Sequence, residues 1–543
     1  MRMTNKIMQN NSLYNINQNK ILQDKLSTNM ATQKKLTRPS DDPIVAIRAL
    51  RLRTSVSEIT QFRDKNAKDA DAWLTVTEDA LSTAGAIIGG PSGLINQMTK
   101  AANKDLTPTD IDSIMQQIKS LSDELYATAN VDYAGRYIFT GYRTDTPLSF
   151  TKDVLSKNLN YNITEQFTIN SLDSINYTDQ KYVAGLSRGN YNDPIRVGIE
   201  EQGIVNSDIR RLRLSYDEIA ATPAPMPNIT YMIGTPPVET DFIAAHGITY
   251  TTVSAHTTYS AGPPPVLDPY QTVQAMNSAD PPIMGVVFVP ETGELLFSDT
   301  AFDQLRTDIN FNPNIEIRVS YDKNVWKEGD LRPEHYFAAV STEVRDDGTI
   351  RTINYNPEYL DGVGNRQIIE YDVGYNQRIR INTLAEDVFQ HTMGRNVSDL
   401  ERAVNELKAI QVTVDDLRAI IDGLSEGTPE FIQVQKQLDA AVKTYDFVRE
   451  NVHKMFENSI TIMQKALDDI NLAVTDSGTR SARLDLISNR LLSQKTTFEI
   501  LKSENEDVDI AEVAIKLTST ELSYNAALMA TAKIMQTSLM HFI

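Results

Sequence analysis

Seventeen of the twenty-two prolines in this 543-residue chain fall between Pro147 and Pro357. Only Pro39, Pro43, Pro91 and Pro108 precede that stretch, and only Pro429 follows it. Proline has no backbone N–H to donate, and its ring clashes with the preceding turn, so it is excluded from helix interiors. The flanks, about residues 1–140 and 381–543, are free to form long helices. The middle, about 141–380, is not.

Periodicity in the flanks agrees. Val45, Ala49, Leu52, Val56, Ile59, Arg63, Asn66, Ala70, Trp73, Thr77, Ala80, Ala84 and Ile87 step alternately by four and three, and ten of the thirteen are apolar. This heptad spacing predicts one helix of about 65 Å at 1.5 Å per residue. Ser40, Asp41 and Asp42 supply capping oxygens, Pro43 suits the first turn, and Gly89-Gly90-Pro91 stops the helix. A second helix starts at Thr107-Pro108 and carries Ile111, Ile114, Ile118, Leu121 and Leu125. Toward the other end, Leu400, Ala403, Leu407, Ile410, Val414, Leu417, Ile421 and Leu424 repeat the rhythm up to a turn at Gly427-Thr428-Pro429. A helix follows through Phe431, Val434, Leu438, Ala441, Tyr445, Val448 and Val452. Its register then shifts to Phe456, Ile460, Met463, Leu467, Ile470 and Val474, which turns the seam toward another partner. The flanks together read as an antiparallel helical bundle.

The two ends are different in character. Residues 1–33 hold eleven Asn or Gln, poor company for a helix, with a drifting stripe of Met3, Ile7, Leu13, Ile16, Leu22, Leu26 and Met30. The C-terminal segment carries Leu517, Tyr524, Leu528, Met535, Leu539 and Phe542 and few charges after Glu521. Amphipathic segments this weak gain helical stability mainly from packing. Both stripes are therefore expected to serve intermolecular coiled-coil assembly.

The middle reads as β-rich. Ile315, Ile317, Val319 and Tyr321 alternate with polar residues, and Val286–Val289 and Leu295–Phe297 flank Glu291-Thr292-Gly293-Glu294 as a hairpin. Ile379 and Ile381 alternate with Arg378 and Arg380, read as a solvated face. Pro223-Ala224-Pro225-Met226-Pro227 and Pro263-Pro264-Pro265 read as surface loops or short extended pieces. The fold class is thus α + β and multidomain, a long helical bundle from both termini around an inserted β-rich domain.

Composition removes several kinds of chemistry. There is no cysteine, hence no disulfide, thiolate metal site or cysteine nucleophile. The net charge of −20 argues against wrapping nucleic acid. The six histidines form no His-Glu-x-x-His, no P-loop or Gly-x-Ser-x-Gly elbow occurs, and no cofactor site is visible. Asp41-Asp42 reads as a helix cap rather than a cation site, and Glu504, Glu506, Asp507, Asp509 and Glu512 as negative charge at the start of the last helix. No catalytic or metal-binding residues are expected. Met1–Asn11 is polar, so no secretory signal peptide is expected, and no run approaches the roughly 18 apolar residues of a membrane span.

Three motifs resemble one family. Arg38-Pro39-Ser40-Asp41-Asp42-Pro43, Gly135-Arg136-Tyr137-Ile138-Phe139-Thr140-Gly141-Tyr142 and Glu506-Asp507-Val508-Asp509-Ile510-Ala511-Glu512 stand in the order found in the bacterial flagellin superfamily. Within it they look most like the hook–filament junction proteins. Flagellins similar in layout carry an Ala-Asp-Asp-Ala-Ala-Gly-type run where this chain has Ser40-Asp41-Asp42-Pro43. The resemblance covers about 1–142 and 370–543.

It implies a structural, non-enzymatic protein, exported unfolded through the flagellar type III apparatus without a cleaved signal peptide. The ends would fold as a ring of identical subunits forms between hook-associated protein 1 and flagellin, after an export chaperone has covered the C-terminal stripe. The implied division is an assembly segment at 1–40, shaft halves at 41–142 and 371–505, a variable domain at 143–370 and an assembly helix at 506–543. Two alternatives stay open: a flagellin filament subunit, and a flagellin-like protein whose middle domain binds or catalyses. Zero cysteine suits a chain that passes unfolded to an oxidising exterior.

Overall fold

The structure is a computed structural model and describes residues 5–36, 38–40, 42–152, 159–180, 183–194, 196–219, 226–233, 238–256, 267–309, 312, 314–344, 349–361 and 367–539. Pro223, Pro225 and Pro263–Pro265, expected in loops, lie outside those residues. The chain divides into two compact units. One comprises Met1–Ala72, Glu370–Arg380 and Arg480–Ile543, the other Trp73–Ile369 and Ile381–Thr479.

The helical flanks form as their spacing predicts. Asp42 caps the Pro43–Thr60 helix, its Oδ1 accepting from the amides of Ile44 (3.0 Å) and Val45 (3.1 Å), with Pro43 in the first turn. Asp41 lies outside the described residues, and Ser40 is exposed. The expected single helix is interrupted. A seven-residue π-helical stretch, Gln61–Ala67, separates Pro43–Thr60 from Lys68–Gly89. Two of the three polar members of the stripe, Arg63 and Asn66, sit in that stretch. There Asn66 donates to the carbonyl of Asp372 (2.8 Å), beside the Glu370–Gly374 and Gln377–Arg380 hairpin, and Asp64 pairs with Lys495 (2.7 Å). Within that hairpin Ile379 is buried and Arg378 exposed, the predicted alternation.

In the second unit, Thr107 and Asp110 form a reciprocal capping box that starts Pro108–Thr128. That helix runs antiparallel to His391–Ile421, joined by Lys119–Glu401 (2.8 Å) and Lys408–Asp112 (2.7 Å). Leu400, Leu407, Ile410, Val414 and Leu417 are buried, as the stripe requires. Gly427, with φ of +81°, makes the turn into the 78-residue helix Pro429–Glu506. The short helix Leu94–Ala101 has no counterpart in the sequence reading.

The middle of the chain builds two larger sheets. One is fully antiparallel in the order Ile350–Tyr355, Ala338–Val344, Leu159–Phe167, Ile317–Lys323, Asn228–Ile233, Val238–Asp241. Ile317, Val319 and Tyr321 point inward in alternation, the predicted period of two. The other runs Asp173–Asp179, Val205–Arg213, Glu294–Phe297, Gly285–Val289, Thr249–Thr252, with its last pair parallel. The predicted hairpin is its centre. Every residue of Gly285–Val289 and Glu294–Phe297 is buried because both faces are covered. Phe288, Leu295 and Phe297 share a core with Ile163, Val319 and Tyr321 of the six-stranded sheet. Val287, Val289 and Leu296 face Val273 and Met276 of the Pro269–Ser278 helix on the other side.

A buried ionic network ties the five-stranded sheet to the His391–Ile421 helix. Arg211 Nη1 reaches Glu294 (2.6 Å) and its Nη2 reaches Asp399 (3.1 Å). Arg213 meets Asp399 at 2.6 Å, and Arg402 meets both Glu294 and Asp399 at 3.1 Å. Burial acts to raise the Asp399 carboxyl, but the guanidiniums of Arg211, Arg213 and Arg402 outweigh it and hold the group well below the usual carboxylate range.

Candidate assembly surface

The first helix, Asn5–Thr32, and the last, Ile510–Leu539, lie antiparallel. Gln23 Nε2 donates to Glu521 Oε1 (3.3 Å), and Leu26 and Val513 are buried. Gln33, at φ +57°, ends the first helix. The chain then pairs with the break between the last two helices: Lys35 N donates to Glu506 O (2.7 Å) and Val508 N to Gln33 O (3.2 Å). Asp509 restarts the helix by accepting from Ala511 (2.9 Å) and Glu512 (3.2 Å) amides.

Glu506 anchors this junction. It is only 5% exposed, and Arg53 grips both its oxygens at 2.7 Å, a bidentate fork. Lys34 Nζ lies 3.6 Å away and pairs with Asp507. The Arg53 hydrogen bonds, then the Arg53 and Lys34 charges, hold the Glu506 carboxyl below its ordinary value against the opposing effect of burial. Lys34 and Ser503 lower Asp507 in the same way. The acidic run is not gathered at the start of the last helix as expected: Glu504 and Glu506 close the preceding helix, and only Glu512 lies in the first turn of the last. Asp509 caps the helix, while Glu506 and Asp507 clamp the N-terminal segment. Only non-local structure shows this, since Arg53 and Glu506 are far apart in sequence.

The structure spreads the sequence-predicted stripe over several environments. Leu26 is buried, and Ile16, Leu517 and Tyr524 are half-buried. Ile7, Leu13, Leu22 and Leu528 are exposed. Met3 and Phe542 lie outside the described residues, as do the side chains of Met535 and Leu539.

A second seam, of which the sequence stripe contained only Ile7, is also exposed. Ile7, Tyr14 and Ile21 are exposed by 49, 64 and 63%, and Ile515, Leu522 and Met529 by 70, 72 and 73%. Each triplet steps by seven residues, the coiled-coil repeat. In the first helix its signal lay in single apolar positions scattered among Asn and Gln, and in the last helix among many other apolar residues. Covering such side chains contributes about 1.5–3 kcal/mol each, so two open seams are a large unsatisfied surface.

The motif Gly135–Tyr142 begins in the turn of a short hairpin. Ala134 (φ +53°) and Gly135 (φ +76°) close a hairpin between Asp132–Tyr133 and Arg136–Tyr137. Arg136 stacks over Trp73 at 5.0 Å. Phe139 is buried, and Gly141 (φ +62°) lies against Gln367. Among the described residues no cluster of His, Asp and Glu is placed to hold a metal, and no helix is long and apolar enough to cross a membrane.

Residues 3–144 match the bacterial flagellin N-terminal helical region as a family. The flagellar hook-associated protein 3 of Escherichia coli (strain K12) is 30% identical over 147 residues, 27% of this chain and 45% of that protein. The flagellar hook-associated protein 3 of Salmonella typhimurium (strain LT2) is 30% identical over 146 residues, with the same coverage. The chain thus matches a little under half the length of these relatives. The structure of a putative flagellar hook-associated protein from Vibrio parahaemolyticus aligns with 86% of this chain and 100% of its own, at 11% identity and a TM-score of 0.32, a loose likeness. Residues 3–144 of this chain therefore match the bacterial flagellin N-terminal helical region, and the chain is similar over part of its length to flagellar hook-associated protein 3.

Proposed function

We propose that the chain is a structural adaptor of the bacterial flagellum that joins the hook, through hook-associated protein 1, to the flagellin filament. The observation that carries this reading is the pair of exposed seven-residue seams on the terminal helices, one of them inside the flagellin-like region. A seam left open on each of two clamped helices offers neighbouring subunits a coiled-coil surface. The ring would consist of identical subunits exported without a cleaved signal peptide and located outside the cell, with an export chaperone covering the C-terminal seam beforehand. In this reading residues 1–40 and 506–543 assemble, 41–142 and 371–505 form the shaft, and 143–370 is the variable domain. No step of the role is enzymatic.

Removing residues 1–33 or 510–543 tests it. The remaining chain is expected to fold but not to restore filament growth in a strain lacking the gene. A trimmed chain that restores growth overturns the reading. The name of the matched region also favours a filament subunit. Abundance separates the two, because a filament subunit is the bulk of purified flagella and a junction protein a trace band.

A further inference from the structure

The chain is strongly acidic, yet one short stretch is not. Residues 34–53 hold Lys34, Lys35, Arg38, Arg48, Arg51 and Arg53 against Asp41 and Asp42. Six positive and two negative charges leave this stretch at +4 and the rest of the chain at −24. The same stretch exposes apolar surface. Ile44, Ile47 and Leu50 of the Pro43–Thr60 helix are exposed by 73, 54 and 59%. Arg48 and Arg51 are exposed beside them. Steps of three and four put Ile44, Ile47, Arg48 and Arg51 on one side of the helix. Among the described residues neither Arg48 nor Arg51 forms an ion pair. Leu50 also borders a groove of about 210 Å³ lined by Ala46, Ala49, Lys34 and Arg53. This face is apolar and basic together, and it belongs to neither terminal seam.

A partner that covers it must bring an apolar side chain set among carboxylates. The chain carries such a site itself. Leu472, on the Pro429–Glu506 helix, is exposed by 70%. Asp468 and Asp476, four residues to either side of it, are exposed on the same side of that helix. No Lys or Arg occurs from Ala466 to Thr479. Other exposed aliphatic residues of the long helices lack this setting. Val412 has Lys408 and Arg418 nearby, and Leu486 lies between Arg483 and Arg490.

We propose that the 44–51 face of one copy docks on the Asp468–Asp476 face of a second copy, with Leu472 seated among Ile44, Ile47 and Leu50 and its flanking carboxylates meeting Arg48 and Arg51. Opposite charge orients the encounter, and like charge keeps two 44–51 faces apart. The two faces are different patches, so the contact is heterologous and leads from copy to copy instead of closing a pair. Three aliphatic side chains bury far less than a stable dimer needs. The contact is therefore brief in dilute solution and lasts where other contacts hold the copies together. It serves a ring or a filament alike and so stands apart from the adaptor role.

The absence of native cysteine makes disulfide trapping specific. Full-length Ile47→Cys is mixed with full-length Leu472→Cys under copper phenanthroline, and linked peptides are identified by mass spectrometry. A disulfide between the two variants is expected, at least about tenfold faster than that between Ile47→Cys and Leu486→Cys, a comparably exposed site flanked by arginines. Adding Arg48→Glu and Arg51→Glu to the first chain should slow trapping to the control rate, and Asp468→Lys with Asp476→Lys in the second should restore it. All these positions are exposed, and circular dichroism checks that each variant folds. Equal rates for Leu472→Cys and Leu486→Cys, or trapping that survives the charge reversal, overturn the proposal. So does the absence of a mixed disulfide when the 44–51 face instead binds anionic lipid vesicles, or binds neither. A failed trap leaves the adaptor reading in place, since that rests on the terminal seams.

Discussion

Replacing Glu506 by glutamine removes the charge that Arg53 and Lys34 share while keeping the side chain's shape. In the native protein the two Arg53 contacts are both 2.7 Å. A glutamine offers one oxygen and turns its amide toward a donor. Hydrogen bonds to charged groups contribute about 1.5–3 kcal/mol. Arg53 is 55% exposed, so water recovers part of that. A net loss of about 1–2 kcal/mol follows, or roughly a 5–30-fold rise in the population with the junction open. Two backbone bonds report on it directly, Lys35 N to Glu506 O and Val508 N to Gln33 O. Amide hydrogen exchange at Lys35 and Val508 should accelerate by that factor in Glu506→Gln. Acid should act alike on the native chain. Glu506 and Asp507 have folded values below their unfolded ones, so their stabilisation is complete above the unfolded carboxylate range and is lost as pH falls through the folded values. Protection should hold from pH 7 to about 4.5 and fail below that. Unchanged exchange at Lys35 and Val508 in the variant would refute the idea that Glu506 clamps the N-terminal segment.

Gly141→Ala places a side chain at φ +62° with its Cβ 2.2 Å from Gln367 Oε1, which accepts from the Tyr142 amide. A loss of about 1–3 kcal/mol is expected in chemical denaturation of the unit formed by Trp73–Ile369 and Ile381–Thr479. Asp399→Asn leaves Arg211 and Arg213 under-compensated in a buried setting and should cost about 3–5 kcal/mol, read from the same transition. Burial lowers His335 to about 4 and His391 to about 3. Their unfolded value is near 6.5. Each therefore adds stability that is present above about pH 6.5 and lost as pH falls toward 4. Denaturation midpoints compared at pH 7.5 and 5 should show the loss, and His391→Phe should make it shallower. Equal midpoints at the two pH values would count against both buried neutral histidines.

Helices were legible wherever the cause was local. Proline spacing divided the chain, Asp42 and the Thr107–Asp110 box marked helix starts, and Gly427 marked a turn. The alternation of Ile317, Val319 and Tyr321 gave a strand, and Val286–Phe297 gave a hairpin. What escaped was set by partners distant in sequence. The π stretch at Gln61–Ala67 lies beside a hairpin some three hundred residues later, where Asn66 meets Asp372. Strand order depends on pairings such as Leu159–Phe167 with Ile317–Lys323, which no local pattern encodes. The candidate surface was half legible. The apolar spacing picked out Leu26, which is buried, together with Ile7, Leu13 and Leu22, which are exposed, while Tyr14 and Ile21 are too sparse to stand out, and exposure depends on which face the partner helix covers.

Immunogold labelling of isolated flagella with an antibody to this chain tests the adaptor role most directly. The adaptor account predicts a single narrow band of label between hook and filament. Label distributed along the whole filament, or absent from flagella altogether, would contradict it.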